Sequence, residues 1–355
     1  MNKLGRHGIY LYLLFVTLIF CISCKEKKMQ GNDDIIVIDP SKAKPGLLSE
    51  ILDSISYIKL ANDDECLLNY IDRIKYFDKQ YYIYDRGAQT IYVFDETGKY
   101  VKKFNKYGRG AGEYLLVTSF VKDDKGRLHI YDAELSKILT YDTSGNFVSG
   151  INMTKDDHPR DFMCFDDKYM LHMPDENIGA RHGSFVFDPE TGAYTEIMHI
   201  DEWEDKDVLT NVWNIIDRNE SGYSLINGYS NIVYNMKHDK TINKFQFDIQ
   251  PRFSYKTEEG YQMVRCSETD NVLMARWMYR KGRNGDHDII CFYNKNTKAL
   301  KIYKDIKNDI DKRTGKLEAL NNNIVYIISG ETDETGFELN PWLQIWHLKN
   351  VEEMP

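Results

Sequence analysis

The chain has 355 residues, 42% hydrophobic and 13% aromatic, with 55 acidic against 46 basic side chains and a formal charge of −9. That acidic balance lacks the basic footprint of a nucleic-acid-binding protein, so nucleic acid is not an expected partner. With only eight prolines, the chain has ample material for a sizeable core.

Lys3 and Arg6 precede an apolar run of 14 residues from Ile9 to Ile22 (IYLYLLFVTLIFCI), followed by Ser23 and Cys24. A basic start, an apolar stretch and a small residue at the cut read as a secretory signal over residues 1–23. Fourteen residues fall short of the roughly 20 that a membrane-spanning helix needs. Cys21-Ile22-Ser23-Cys24 resembles the bacterial lipobox, with Cys21 where that motif usually has Leu. Cys24 is therefore expected to be the acylated first residue, and its acyl chains would hold the protein on a membrane without a spanning helix. Loss of residues 1–23, which carry two positive charges and no acid, takes the formal charge from −9 to −11. Residues 24–34 (CKEKKMQGNDD) are polar and read as a flexible tether. Residues 35–355 are expected to form a single domain. Cys66, Cys164, Cys266 and Cys291 lie at least 25 residues apart and read as buried thiols rather than a disulfide framework.

A repeat sets the fold. Tyr81 to Lys103 (YYIYDRGAQTIYVFDETGKYVKK) and Leu128 to Ser149 (LHIYDAELSKILTYDTSGNFVS) each give a strand ending in Tyr-Asp, a polar loop, and a strand ending in aromatic-Asp. A Gly turn and a further strand follow. Gly98 and Gly145 are 47 residues apart; Asp142 follows Asp95 by 47, and Asp188, in FVFDPETGAYTEI, follows Asp142 by 46. Weaker copies at Ile232 to Asn235, Ile289 to Asn294 and Leu343 to Leu348 bring the count to six. Short β-rich units of this length predict an all-β fold, a six-bladed β-propeller of four-stranded antiparallel blades. The last unit lacks an outermost strand, and Ser54 to Leu60 (SISYIKL) alternates correctly to supply it, which predicts closure by an N-terminal strand. Ile35 to Ile38 is a further candidate for pairing with a blade.

In such blades the loops between strands two and three share a face with the links between blades. The long charged segments fall there: 106–114 (KYGRGAGEY), 155–161, 175–182, 201–207, 280–288 and 331–340. The candidate ligand-face residues are Arg86, Arg109, Glu113, His158, Arg160, Arg181, His182, Arg283 and His287. In GRGAGEY a strand follows instead of a helix, which argues against a dinucleotide fingerprint and for a glycine loop threading over the channel mouth between blades. Asp286-His287-Asp288 offers a His-carboxylate pair or metal ligands, and the histidines at 158, 172, 182 and 199 fall in or beside blades two and three. Trp213, Trp277 and Trp342 lie near strand ends and are the tryptophans best placed for exposure, but burial in the core is the favoured reading for them.

The phrase FNKYGRGAGEY after IYVFDETGKYV, the lipobox, and Asn340-Pro341-Trp342-Leu343 together resemble the six-bladed β-propeller lipoproteins of Bacteroides and relatives, which are similar in blade grammar to NHL-repeat proteins. Ala111 stands where that family often has Pro. The resemblance implies fold and compartment, a lipid-anchored protein of the cell envelope at the outer membrane, and carries no catalytic residues.

No metalloprotease helix, phosphate-binding loop, nucleophile elbow or clustered Cys/His spacing is present. The expected function is a non-enzymatic binding or scaffolding propeller, its partners the membrane through Cys24 and a glycan, peptide or envelope protein; no cofactor is expected. The alternative is a propeller hydrolase or lyase with a divalent metal at the channel. An enzyme of that kind requires inward carboxylates or histidines from at least three blades to converge.

Overall fold

Short runs of Tyr, Ile, Val and Phe between Asp- and Gly-bearing turns form strands throughout the chain. The computed structural model describes residues 30–154, 157–173, 181, 183–199, 216–219, 222–227, 231–237, 242–254, 256–282, 284–313, 315–320, 323–328, 330–332, 334, 336 and 338–355. Ahead of the first blade the chain forms β1 (Gln30–Ile38), a 3-10 turn (Pro40–Lys42), β2 (Lys44–Leu47), the one-turn helix α1 (Leu48–Ile51) and β3 (Leu52–Lys59).

Blade one is β4 (Ile71–Phe77), β5 (Gln80–Asp85), β6 (Thr90–Asp95) and β7 (Tyr100–Phe104). Blade two is β8 (Val117–Lys122), β9 (Leu128–Asp132), β10 (Lys137–Tyr141) and β11 (Phe147–Asn152). Blade three is β12 (Asp161–Phe165), β13 (Lys168–Met173), β14 (Gly183–Phe187) and β15 (Tyr194–His199). Blade four is β16 (Ile216–Asn219), β17 (Gly222–Asn227), β18 (Ile232–Lys237) and β19 (Ile242–Ile249). Blade five is β20 (Glu259–Glu268), β21 (Val272–Lys281), β22 (Asn284–Asn294) and β23 (Leu300–Lys307). Blade six combines β24 (Gly315–Leu320), β25 (Asn323–Ile328) and β26 (Trp342–Leu348) with β3. The first strands of most neighbouring blades contact one another, which places them innermost.

The repeat grammar has a local physical cause. The aspartate ending the third strand closes the next turn: Asp95 Oδ1 accepts from the N–H groups of Thr97 and Lys99, and Asp142 Oδ1 from those of Ser144 and Asn146. The turn needs a left-handed residue, supplied by Gly98 at φ +87° and Gly145 at φ +85°. Gly98 also abuts the seam, where a Cβ would lie 2.2 Å from the Lys59 carbonyl oxygen. The aspartate ending the second strand has another task. Asp85 accepts from the N–H groups of Asn69, Tyr70 and Ala88; Asp132 accepts from those of Leu115, Leu116, Glu134 and Leu135. Each fully buried carboxylate thus ties the turn of its own blade to the incoming link from the blade before.

The ring closes as the sequence predicts. β3 pairs antiparallel with β26, from Trp342 opposite Lys59 to Leu348 opposite Leu52. Ile35–Ile38 also pairs, but the strand begins at Gln30, inside the segment read as a tether. β1 runs parallel to β19, with Ile35 opposite Gln246 and Ile38 opposite Ile249, and β2 runs parallel to β23. The chain before β3 therefore straps the outer edges of blades four and five. Ile36 and Ile38 point into the core while Ile35 and Val37 face solvent, the two-residue period of a strand. Asp34 accepts from Lys298 Nζ at 2.6 Å and from the Tyr293 hydroxyl at 3.3 Å, fastening the strap to blade five as well.

Aromatic and aliphatic side chains fill the gaps between blades, and most tyrosines of the strands are part of this core. Trp277 is fully buried, in keeping with the core reading. It packs on Phe247 of blade four and donates Nε1–H to Asn231 Oδ1 at 3.2 Å, because blade five's long strands carry it to mid-sheet. Trp342 is half-buried, and Trp213 lies outside the described residues. Cys66, Cys164, Cys266 and Cys291 are free thiols.

Candidate functional site

Arg73 and Lys75 are two residues apart on β4, so both leave the same side of an innermost strand. A β-bulge between Ile71 and Arg73, and another between Val117 and Ser119, re-aim these positions. The two cations reach Asp161, at the start of β12: Arg73 Nη1 is 3.5 Å from Oδ1, and Lys75 Nζ 3.7 Å from Oδ2. Ser119 donates its hydroxyl to Oδ1 at 2.5 Å, and the Phe162 N–H donates at 3.0 Å. Blades one, two and three thus meet on one carboxylate that is 1% exposed. Among the described residues, this convergence is not the set of carboxylates or histidines that the enzymatic alternative requires, and no three His, Cys, Asp or Glu side chains gather to hold a metal. Held by two cations and a hydroxyl, this carboxylate is a polar plug at the junction of three blades.

His172 on β13 lies beside this plug, its Nδ1 2.8 Å from Ser184 Oγ. Burial pushes its pKa down to about 4; Asp161 opposes the shift and Arg160 adds to it. The unfolded chain, with histidine near 6.5, binds the extra proton first, so stability is intact above about pH 6.5 and falls as pH drops toward 4. The loss attached to this residue is on the order of 3 kcal/mol. Urea unfolding of wild type and His172→Asn across pH 7 to 4 checks it, since equal pH slopes for the two would remove His172 as the cause.

Blade five carries a long hairpin on the loop-bearing face. Of residues 280–288, expected as a charged loop, Arg280 and Lys281 instead pair with Gly285 and Asn284, so β21 and β22 continue as a hairpin. Tyr261, Tyr279 and His287 stand opposite one another on three adjacent strands, forming a row of rings. Tyr279 and His287 stack at 5.2 Å, and Tyr261 meets Tyr279 at 4.9 Å. Carboxylates flank the row. His287 Nδ1 is 2.9 Å from Asp286 Oδ2, and Tyr279 donates its hydroxyl to Glu259 Oε1. That bond to a carboxylate, with some burial, pushes the Tyr279 pKa up to about 12, while the His287 hydrogen bond holds Asp286 below its usual range. The expected His-carboxylate pair is therefore present at 286–287. Asp288 points to the other face of the strand and binds Arg276.

The other expected residues divide into available and spent. Arg86 is 55% exposed, 4.0 Å from Asp72, and its N–H bonds the carbonyl of Tyr70, itself 58% exposed. Arg109 is exposed beside Tyr107, which is 59% exposed. Glu113 is used within its own loop, accepting from the Gly110 N–H at 2.8 Å. That loop does not cross the channel mouth: Tyr141 donates to the Gly112 carbonyl, and a Cβ on Gly112 would lie 2.6 Å from Phe147 on the outermost strand of blade two. Outward placement follows from Tyr114, whose buried hydroxyl donates to the carbonyls of Gln89 and Phe104 and pins the loop's return. Arg181 is 2.7 Å from buried Asp157 and covers the Tyr194 ring at 3.9 Å, so it holds the link between blades two and three. Arg160 is half-buried and lends its carbonyl to Arg73 Nη2; His158 is half-buried in the same link. Cys24, His182 and Arg283 lie outside the described residues. Sequence reasoning missed the Arg73–Lys75–Asp161 plug; the two cations flanking Ile74 on β4 mark its blade-one half, and nothing in the spacing marks Asp161 as their partner.

These features define a closed six-bladed β-propeller with one elaborated face. The chain belongs to the DUF4934 family, a domain of unknown function, whose pattern matches residues 35–354. The family resemblance carried by the glycine loop is met at the level of fold. A protein of Bacteroides fragilis NCTC 9343 classed as exported aligns over 90% of this chain and 99% of its own, at 18% identity and a TM-score of 0.65. A DUF4221 family member from Bacteroides vulgatus ATCC 8482 aligns over 84% of this chain and 97% of its own, at 13% identity and a TM-score of 0.54. A streptogramin B lyase aligns over 84% of this chain and 88% of its own, at 12% identity and a TM-score of 0.43. No curated protein matches the chain.

Proposed function

We propose that this chain is an exported, lipid-anchored propeller of the cell envelope that binds or scaffolds a glycan, a peptide or an envelope protein on its loop-bearing face. The observation that carries the reading is the ring row Tyr261, Tyr279 and His287 on the projecting hairpin, flanked by Glu259 and Asp286. Tyr279 and His287 are half-buried and Tyr261 is buried beside them; half-exposed rings next to hydrogen-bonding carboxylates suit sugar rings and peptide side chains alike. Exposed Tyr70, Arg86, Tyr107 and Arg109 on blade one add the residue types that interfaces favour. The exported Bacteroides fragilis neighbour and the sequence around Cys24 support the compartment.

The alternative, a hydrolase or lyase, has one observation behind it: Asp286, His287 and Tyr261 form a carboxylate–imidazole–hydroxyl chain at 2.9 and 3.4 Å. Burial pushes the Tyr261 hydroxyl up, which makes it a poor nucleophile. Binding is favoured for that reason.

Two measurements test the proposal together. Cys24→Ser moves the protein from the membrane to the soluble fraction with its melting curve unchanged; retention on the membrane would refute the anchor. On a glycan and peptide array the mature protein gives specific binding that Tyr279→Ala weakens at least tenfold. An array signal indifferent to that substitution would refute the site.

A further inference from the structure

A cavity of about 240 Å³ opens between blades five and six, on the opposite face of blade five from Trp277 and Tyr279. Its floor is apolar and buried: Leu48 of α1, Met274 and Phe292 are each at most 1% exposed. Ile290, Ile306 and Trp346 form half-buried walls. The volume lies below the ~300–1,000 Å³ of sites for drug-sized ligands, so an occupant would be a single ring or a short alkyl chain.

The charges at the mouth are unequal. Arg276 places Nη2 at 2.6 Å and Nε at 2.9 Å from Asp288 Oδ2, and the pair cancels. Asn308 spends its side chain on Asp311, Ile310 and the Arg313 carbonyl. Asp305 is different. Pro45 pairs with Lys304 and Gly46 with Ile306, which leaves Asp305 as the extra residue of a β-bulge, at φ +51°. A left-handed conformation is unfavourable for a residue with a Cβ, and bulges recur where a side chain must be re-aimed. Here the bulge brings the carboxylate to the cavity mouth, where Oδ1 accepts the Asp288 N–H at 2.8 Å in place of a backbone acceptor. Among the described residues, no cation pairs with Asp305, and it is exposed.

From this geometry we infer that the cleft binds a small amphipathic amine, its apolar body against Phe292 and Trp346 and its ammonium group on Asp305. The site is separate from the ring row and stands or falls independently of it. Calorimetric titration of the full chain with phenethylammonium, phenethyl alcohol and phenylacetate tests the inference. The ammonium binds at least tenfold more tightly than the alcohol, and phenylacetate binds most weakly. Asp305→Asn, which keeps the hydrogen-bond acceptor and tolerates the same φ, abolishes the preference while leaving the melting curve in place. Ile290→Trp fills the cavity and removes binding of all three. Equal binding of amine and alcohol, a preference for the acid, no binding of any probe, or a preference that survives Asp305→Asn would each overturn it.

Discussion

Asp161→Ala is expected to destabilise the ring by about 3–5 kcal/mol, the cost of removing one member of a buried ion pair. Arg73 and Lys75 are 4% and 8% exposed, so water cannot replace the missing carboxylate. The same substitution strands the Ser119 hydroxyl and loosens the junction of blades one, two and three. Asp161→Asn keeps the shape and the acceptor but not the charge, and it should fall between alanine and wild type. Urea unfolding read by tyrosine and tryptophan fluorescence measures all three. A loss below about 1 kcal/mol for alanine would mean that the carboxylate is not what holds the two cations.

Ile36→Asp combined with Ile38→Asp is expected to detach β1 and drive the protein into aggregates. Each isoleucine contributes roughly 1.5–3 kcal/mol by burial, and an aspartate in its place must be desolvated or expelled with the strand. Detachment uncovers Phe245 and Phe247 and bares the edge of β19, an invitation to intermolecular pairing. Size-exclusion chromatography separates the outcomes. A double variant that elutes as wild type with an unchanged melting temperature would show that the strap adds nothing to the ring. Ile35→Asp with Val37→Asp is the matched control, because those side chains are 72% and 62% exposed.

Blade count and seam were legible because turn chemistry is local. Asp95 and Gly98, or Asp142 and Gly145, fix their hairpins within five residues, and repetition every 46 or 47 residues multiplies the signal. The seam followed from counting strands against an incomplete sixth unit. Pairing across long stretches of chain left weaker marks. Ile35–Ile38 was recognisable as a strand, but its parallel partner and its start at Gln30 were not, since neither leaves a turn to read. Loop charges misled in a consistent direction. Arg181 and Glu113 look available in sequence and are engaged in space, because a carboxylate or an orphan N–H nearby gains more from the pair than solvent offers. Asp161, Arg73 and Lys75 come together only when three blades close on one axis, and no spacing along the chain encodes that meeting. Arg280–Asp288 failed for a different reason: charged residues there sit on paired strands that outgrow the ring, a length that composition does not announce.

The strap also sets how the protein would carry a mechanical load. Any pull on the chain ahead of Gln30 enters along β1, whose partner β19 runs in the same direction. Tension along that axis is shared by the whole ladder in shear, instead of opening one hydrogen bond at a time from an end. Within β1 the Asp34 pair with Lys298 adds to that grip, and behind it the β2 ladder takes up what remains before force reaches the seam. A propeller tugged by its N-terminus is thus gripped by two blades ahead of the one whose strand completes the circle.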